Sequence, residues 1–371
     1  MSNNTVFNMS SVNFASGLFL AEEQGLSIQR FDKPKHPNLL KLLNTGLGFF
    51  WLPEEISMAV DAANFNELTE ADKHVVISNI KRQILLDSVM GRAPDMVFGP
   101  AVNDPVLEGL IKWWSMQEII HSKSYTHIIQ NSFPDPEAVL SGVMDIQEIV
   151  DCSNTVAYFY DKCIADIQKF YDGEISRQDA CKSLYLALHA ANALESVRFA
   201  ISFACSFAYA ENGLLPGLGN IISLINRDEL GHVAITNFLL KELPESDNDF
   251  LEAANDTEVM INVRHIWRQT YEEEKSWIDY LFSKGNILGL NAAVLKQYLD
   301  YVTTTRLEAI GVGTIEEVIG VSAVRNNPIN WINNWLSNKN NQPAPQETEL
   351  TNYEKGNVDM NIDLDSLNIS L

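Results

Sequence analysis

Residues 111–129 read IKWWSMQEIIHSKSYTHII, and their spacing decides the fold. At steps alternating four and three residues, Leu107, Ile111, Trp114, Glu118, His121, Tyr125 and Ile128 fall on one helical face. Such a stripe is the seam of a helix that faces a packed interior. Its first half is apolar, as a core requires. A carboxylate, an imidazole and a phenol then follow on the same face, one turn apart. Burying an ionised group without a partner costs several kcal/mol. An acid three residues before a histidine on an inward face therefore points to a metal ion.

Working outward, the same pattern returns in NIISLINRDELGHVAITNFLLKEL. There Ile222, Ile225, Glu229, His232, Thr236 and Leu239 share a face, a second Glu-x-x-His on an inward stripe. Upstream, Thr69 and Asp72 resemble a capping box that opens a helix with the seam Ile77, Ile80, Ile84. Asp87 then stands where the next apolar residue belongs, and GRAP at 91–94 is expected to end that helix. The segment CKSLYLALHAANALESVRFAISFACSFAYAENG is apolar almost all round and reads as one helix buried on every side. Glu195 is its lone central acid, with Phe199 one turn on and Phe203 two turns on.

Two Glu-x-x-His motifs among seven histidines are weak alone, and a single buried acid is more often a paired structural charge. Order and spacing sharpen the signal. Asp87, Glu118, Glu195 and Glu229 are separated by 31, 77 and 34 residues. The short intervals suit helix pairs turning over a loop, and the long one suits a crossover between pairs. This is the layout of a four-helix bundle holding two metals: one acid from each of two helices, Glu-x-x-His from each of the others. Four carboxylates match two divalent ions in charge, and the hard oxygen and nitrogen donors suit Fe(II) or Mn(II).

Composition bounds the remaining choices. A chain of 371 residues has room for one large domain or two modest ones. With 26 basic and 49 acidic residues the formal charge is −23, which repels nucleic acid and anionic lipid and sets both aside as partners. Cys152, Cys163, Cys181 and Cys205 show no CxxC pair, so reduced thiols are expected. MSNNTVFNMSSVNF lacks the pattern of a secretory signal, and no apolar run approaches the roughly 20 residues of a membrane span. A soluble, cytoplasmic protein is expected.

Along the chain, residues 1–35 read as irregular, with a strand-like hint at SIQRF. A helix is expected from Asn38 through LLKLLNTGLGFFW to Trp51. Residues 137–173 read as one or two helices, 213–219 as a loop, and 254–310 as further amphipathic helix. Composition shifts near Ser337. Residues 1–336 are therefore expected to form a helical domain and 337–371 a flexible tail.

The segments LLDSVMGRAP, QEIIHSKSYTHII, NALESVRFAISFACSFA and RDELGH resemble the small, radical-bearing subunit of class I ribonucleotide reductase. The resemblance runs in the family's order from about Leu18 into the tail. It implies an all-α, ferritin-like bundle in which Asp87, Glu118 and His121 bind one metal and Glu195, Glu229 and His232 the other. Glu118 and Glu229 would bridge. Two iron ions per chain are implied, with manganese as the alternative. Tyr125 matches the tyrosine that becomes a stable radical, and Ile80, Phe199, Phe203 and Ile225 match the apolar pocket around it. Trp51, Asp228 and Tyr353 match the path by which the radical reaches the large subunit, where nucleotides are reduced. Leu364, Leu367, Ile369 and Leu371 match the tail peptide that docks there, and a homodimer is implied as well. Three positions depart from the pattern: Gln117 where many relatives have Ser, Asn226 where a small apolar residue is usual, and Gly231 where a bulky apolar one is usual. Glycine inside a helix costs about 1 kcal/mol against alanine, so a looser ligand helix is expected at Gly231. An iron-storage bundle, or an oxidase acting on its own substrate, would share the helix motifs, but neither needs the docking tail.

Overall fold

The computed structural model describes residues 17–20 and 28–336; Tyr353 and the tail leucines lie outside the described residues. The described chain is all-α. In order, its helices are α1 Pro37–Leu47, α2 Ala59–Glu67, α3 Glu70–Met90, α4 Pro105–Ser132, α5 Pro136–Ser141, α6 Gln147–Asp172 and α7 Arg177–Ala193. They continue as α8 Phe199–Glu211, α9 Pro216–Ser246, α10 Asn248–Asn255, α11 Thr257–Leu281, α12 Ala292–Ile310, α13 Ile315–Val318 and α14 Asn333–Leu336. Single-turn π segments lie at Pro94–Phe98 and at Leu194–Arg198, the latter joining α7 to α8. No helix among the described residues is long and apolar enough to cross a membrane.

Four helical runs surround the interior that the sequence patterns point to. α3 packs on α4, α8 packs on α9, α4 also meets α9, and α3 also meets α8. α6 and α11 cover α7, while α1 lies across α4 and α9. The stripes on α4 and α9 are buried as their period requires, polar positions included. On α3 the expected seam holds only in part: Ile80 and Asp87 are buried, whereas Ile77 and Ile84 are half-buried, because the inward face is centred on Val76, Ile80, Gln83 and Asp87.

The capping box forms: Thr69 Oγ1 accepts from the Asp72 amide at 3.2 Å, and Asp72 Oδ2 accepts from the Thr69 amide at 3.3 Å. Gly91 closes α3, as GRAP indicates.

Four local expectations are corrected. Residues 28–31 of SIQRF form no strand, because no neighbouring strand offers a ladder; extended pairing among the described residues is limited to the isolated bridges Phe19–Val102 and Ile287–Leu290. α1 ends at Leu47, four residues before Trp51. The Gly48 and Phe49 amides there turn to the carbonyls of Thr45 and Gly46, tightening the last turn and peeling the chain away. The segment around Glu195 is not one regular helix but is interrupted by the π turn that carries this acid. Within 213–219, α9 already begins at Pro216. Its cap is not local: Asp61 of α2 accepts from the Gly217 and Leu218 amides at 2.8 and 2.7 Å.

Candidate metal centre

Each motif delivers its side chain from a different element. Asp87 comes from the last turn of α3, Glu118 and His121 from the middle of α4, Glu195 from the π turn, and Glu229 and His232 from the middle of α9. All six are buried. They converge in two groups, Asp87–Glu118–His121 and Glu118–Glu195–Glu229–His232, within which one ligand atom per residue lies within 4.8 Å of the others. Glu118 belongs to both. Its Oε1 lies 3.4 Å from His232 Nδ1 and its Oε2 3.7 Å from His121 Nδ1. Glu229 does the same, with Oε2 3.0 Å from His232 Nδ1 and Oε1 3.2 Å from His121 Nδ1. Each of these glutamates thus turns one oxygen toward each histidine, the disposition needed to bridge two ions.

The electrostatics call for cations. Both oxygens of Asp87 and of Glu195, one oxygen each of Glu118 and Glu229, and His121 Nδ1 are buried with no hydrogen-bond partner. Burial first, and neighbouring carboxylates next, push Asp87 and Glu195 well above the ordinary carboxylate range. Burial also acts upward on Glu229, but contacts with Glu195, His121 and His232 overcome it and hold this acid low. His121 is raised: burial opposes its charge, and Asp228, Glu118 and Glu229 outweigh burial. Four carboxylates can be packed this closely only by sharing protons or by binding positive ions. Oxygen-rich donors with two imidazoles fit two divalent ions of the Fe(II) or Mn(II) type.

A second layer orients the first. The His121 Nε2 lies 3.4 Å from Asp228 Oδ2, which also accepts from the Trp51 indole at 2.7 Å. The His232 Nε2 meets Gln117 Oε1 at 2.8 Å. Trp114 donates its indole N–H to Glu118 Oε1 at 3.0 Å and stacks on His232 at 5.1 Å between ring centroids. The π turn is held by its own Arg198, which reaches Glu273 Oε2 at 2.6 Å on α11. Of these, Trp114 reads from sequence as an ordinary core residue and Gln117 only as a departure. The one available signal was an amide on α4 one turn before His121, on a side where an apolar residue would pack as well.

Tyr125 lies one turn past His121 on α4 and is fully buried, its hydroxyl without a hydrogen-bond partner. Burial, then the charges of Asp87 and Glu229, push its phenol well above the usual range, so it is held protonated. Ile80, Phe199, Phe203 and Ile225 are buried in the same core, and the two phenylalanine rings stack at 5.4 Å.

Fold and site together define a helical bundle with a dimetal carboxylate–histidine centre in its core. The chain belongs to the family described as ribonucleotide reductase, small chain, whose model matches residues 29–318. It is 38% identical over 352 residues to the ribonucleoside-diphosphate reductase subunit beta of Haemophilus influenzae, covering 92% of each chain. It is 32% identical to the subunit beta of Enterobacteria phage T4, covering 97% of each. Among solved structures, the fold matches the R2 subunit from Clostridium botulinum with a TM-score of 0.77 at 22% identity, over 91% of this chain and 99% of that one. It also matches a dimanganese(II) protein from Streptococcus sanguinis with a TM-score of 0.64 at 16% identity, over 83% and 98%.

Proposed function

We propose that this chain is the radical-generating subunit of a ribonucleoside-diphosphate reductase, acting in the cytoplasm with a separate large subunit on which nucleotides are reduced. The observation that carries the reading is Tyr125: a fully buried phenol, unpartnered, one helical turn beyond His121. Two redox-active metal ions, when bound, supply with O2 the oxidising equivalents that convert this phenol into a neutral radical.

The chain's own residues do the rest. Asp87, Glu118 and His121 would hold one ion and Glu195, Glu229 and His232 the other, with Glu118 and Glu229 available to both. Iron in both positions is the favoured loading. A manganese pair suits the same donors and is the state described for the Streptococcus sanguinis neighbour. Once bound cations hold it ionised, Asp87, beside the Tyr125 phenol, would take its proton. Ile80, Phe199, Phe203 and Ile225 shield the radical from water and reductants. Trp51 and Asp228 carry the radical equivalent outward, and Tyr353 continues the path in the tail. Residues 337–371 dock on the large subunit through Leu364, Leu367, Ile369 and Leu371, and the chain works as a homodimer.

The test is electron paramagnetic resonance on metal-free protein loaded with Fe(II) and exposed to O2, beside Tyr125→Phe. A tyrosyl signal in the parent and none in the variant is expected, with equal metal uptake. Removing an unpartnered buried hydroxyl should leave stability unchanged or raise it by about 1 kcal/mol. Metal uptake with no tyrosyl signal in the parent under Fe(II) or Mn(II) loading would refute the radical role.

A further inference from the structure

We propose that Gln117 is a positioning residue which, together with Trp113 lodged against Gly231, holds His232 in the one arrangement that can bind a metal ion. This rests on the dimetal reading above. A side-chain amide oxygen only accepts, so the 2.8 Å contact from Gln117 Oε1 to His232 Nε2 requires the ring hydrogen on Nε2. A neutral imidazole then carries its free lone pair on Nδ1. That nitrogen faces Glu229 Oε2 at 3.0 Å, Glu118 Oε1 at 3.4 Å and Glu195 Oε2 at 3.5 Å. A lone pair set among three carboxylate oxygens is a donor group for a cation.

The ring is held on its other sides by the indoles of α4. Trp114 stacks on it with an interplanar angle of 26°, and Trp113 meets it edge-on at 5.7 Å and 73°. Trp113 reaches this place because two glycines make room for it. A Cβ at Gly231 would lie 3.0 Å from its Cη2, and a Cβ at Gly46 of α1 would lie 2.3 Å from its Cε2 and Cζ2. Gly231 sits within the continuous helix, and the space its missing side chain leaves is filled by Trp113. Trp113 and Gln117 are one turn apart on α4, so one face of that helix both packs His232 and fixes its hydrogen.

The two histidines are thereby made unequal. The outer nitrogen of His121 faces a carboxylate, Asp228, at 3.4 Å, whereas that of His232 faces a neutral amide. An anionic outer partner raises the basicity of a ligating imidazole, and an amide orients it without doing so. The ion held by His232 should therefore be bound in a separate step that depends on Gln117.

Anaerobic Fe(II) titration of the full chain by calorimetry tests this with Gln117→Met and Gln117→Glu. Methionine keeps the volume and removes the acceptor; glutamate keeps the acceptor. The parent should bind two ions per chain. Gln117→Met should weaken one step by about 10–100-fold and leave the other unchanged, while Gln117→Glu, an anionic acceptor, keeps that step as tight as in the parent or tighter. Should the methionine variant fail to fold, Gln117→Ala carries the same expectation. Unchanged steps, equal weakening of both steps, or a glutamate variant as weak as the methionine one would overturn the proposal. A parent that binds no Fe(II) would instead overturn the dimetal reading, and the proposal with it.

Discussion

The Trp51 indole donates to Asp228 Oδ2 across 2.7 Å, joining side chains 177 residues apart. The same carboxylate oxygen lies 3.4 Å from His121 Nε2, and its other oxygen receives the Arg227 guanidinium at 3.4 Å. One acid thus links a candidate metal ligand to a tryptophan, and all of these groups are buried. Trp51→Phe should leave metal uptake and the tyrosyl signal in place. It should nevertheless cut deoxyribonucleotide formation with the large subunit to background. Losing a hydrogen bond to a charged acceptor should cost about 1.5–3 kcal/mol in unfolding free energy. Retained turnover would remove Trp51 from the path.

Truncation after Ser337 separates the two proposed regions. The shortened chain keeps all six candidate ligands and should melt within about 2 °C of the parent, since a segment of such polar, proline-bearing composition adds little to stability. Binding to the large subunit, followed by surface plasmon resonance, should be lost. Unchanged affinity would show that docking lies elsewhere.

Metal-free and metal-loaded protein should respond differently to pH. Asp87 and Glu195 are raised by burial and by neighbouring carboxylates, so across the interval above the ordinary carboxylate range the folded chain holds more protons than the unfolded one. Stability then falls as pH rises, by about 1.4 kcal/mol for each unit by which a group is raised. His121, also raised, stabilises the fold while protonated and loses that contribution as pH rises. Glu229, held low, is ionised throughout and adds a constant. Bound cations replace these protons and remove the fall. The melting temperature of metal-free protein should therefore drop as pH rises above the ordinary carboxylate range, and the increment from Fe(II) or Mn(II) should grow. A flat or rising metal-free profile would count against the buried cluster as described.

Asp61 caps α9 from another helix, 156 residues before the amide of Gly217. Asp61→Ala should cost about 2 kcal/mol and fray the start of α9 first, visible as faster amide exchange at residues 217–219. Protection equal to the parent there would mean that the cap contributes nothing.

Much of the bundle was legible because its information is periodic and local. The stripes on α4 and α9, the acids interrupting α3 and the π turn, and the capping box at Thr69 all repeat at helical spacing or lie within one turn. Burial of a stripe requires that repeat, so the repeat reveals the burial. The six candidate ligands and Tyr125 are found together for the same reason: each is a polar residue on a face that must otherwise be apolar.

What the linear pattern could not contain are contacts between elements distant in sequence. The start of α9 is capped by Asp61 rather than by a neighbouring side chain, so residues 213–219 hold only Pro216 at the first helical position as a local signal. The π turn at Glu195 is an insertion in hydrogen-bond register, supported by Arg198 and Glu273, with no compositional mark. Gln117 and Gly231 look like unrelated departures in one dimension and become the two sides of one histidine clamp once α4 lies against α9. The sequence by itself determined the helical class, the positions of the candidate ligands and the buried tyrosine, because hydrophobic burial acts through spacing along each helix. Only the tertiary structure decided which oxygen faces which nitrogen, what orients each histidine and which acid joins Trp51 to the centre. Hydrogen bonds act over about 3 Å, and only folding brings such residues that close.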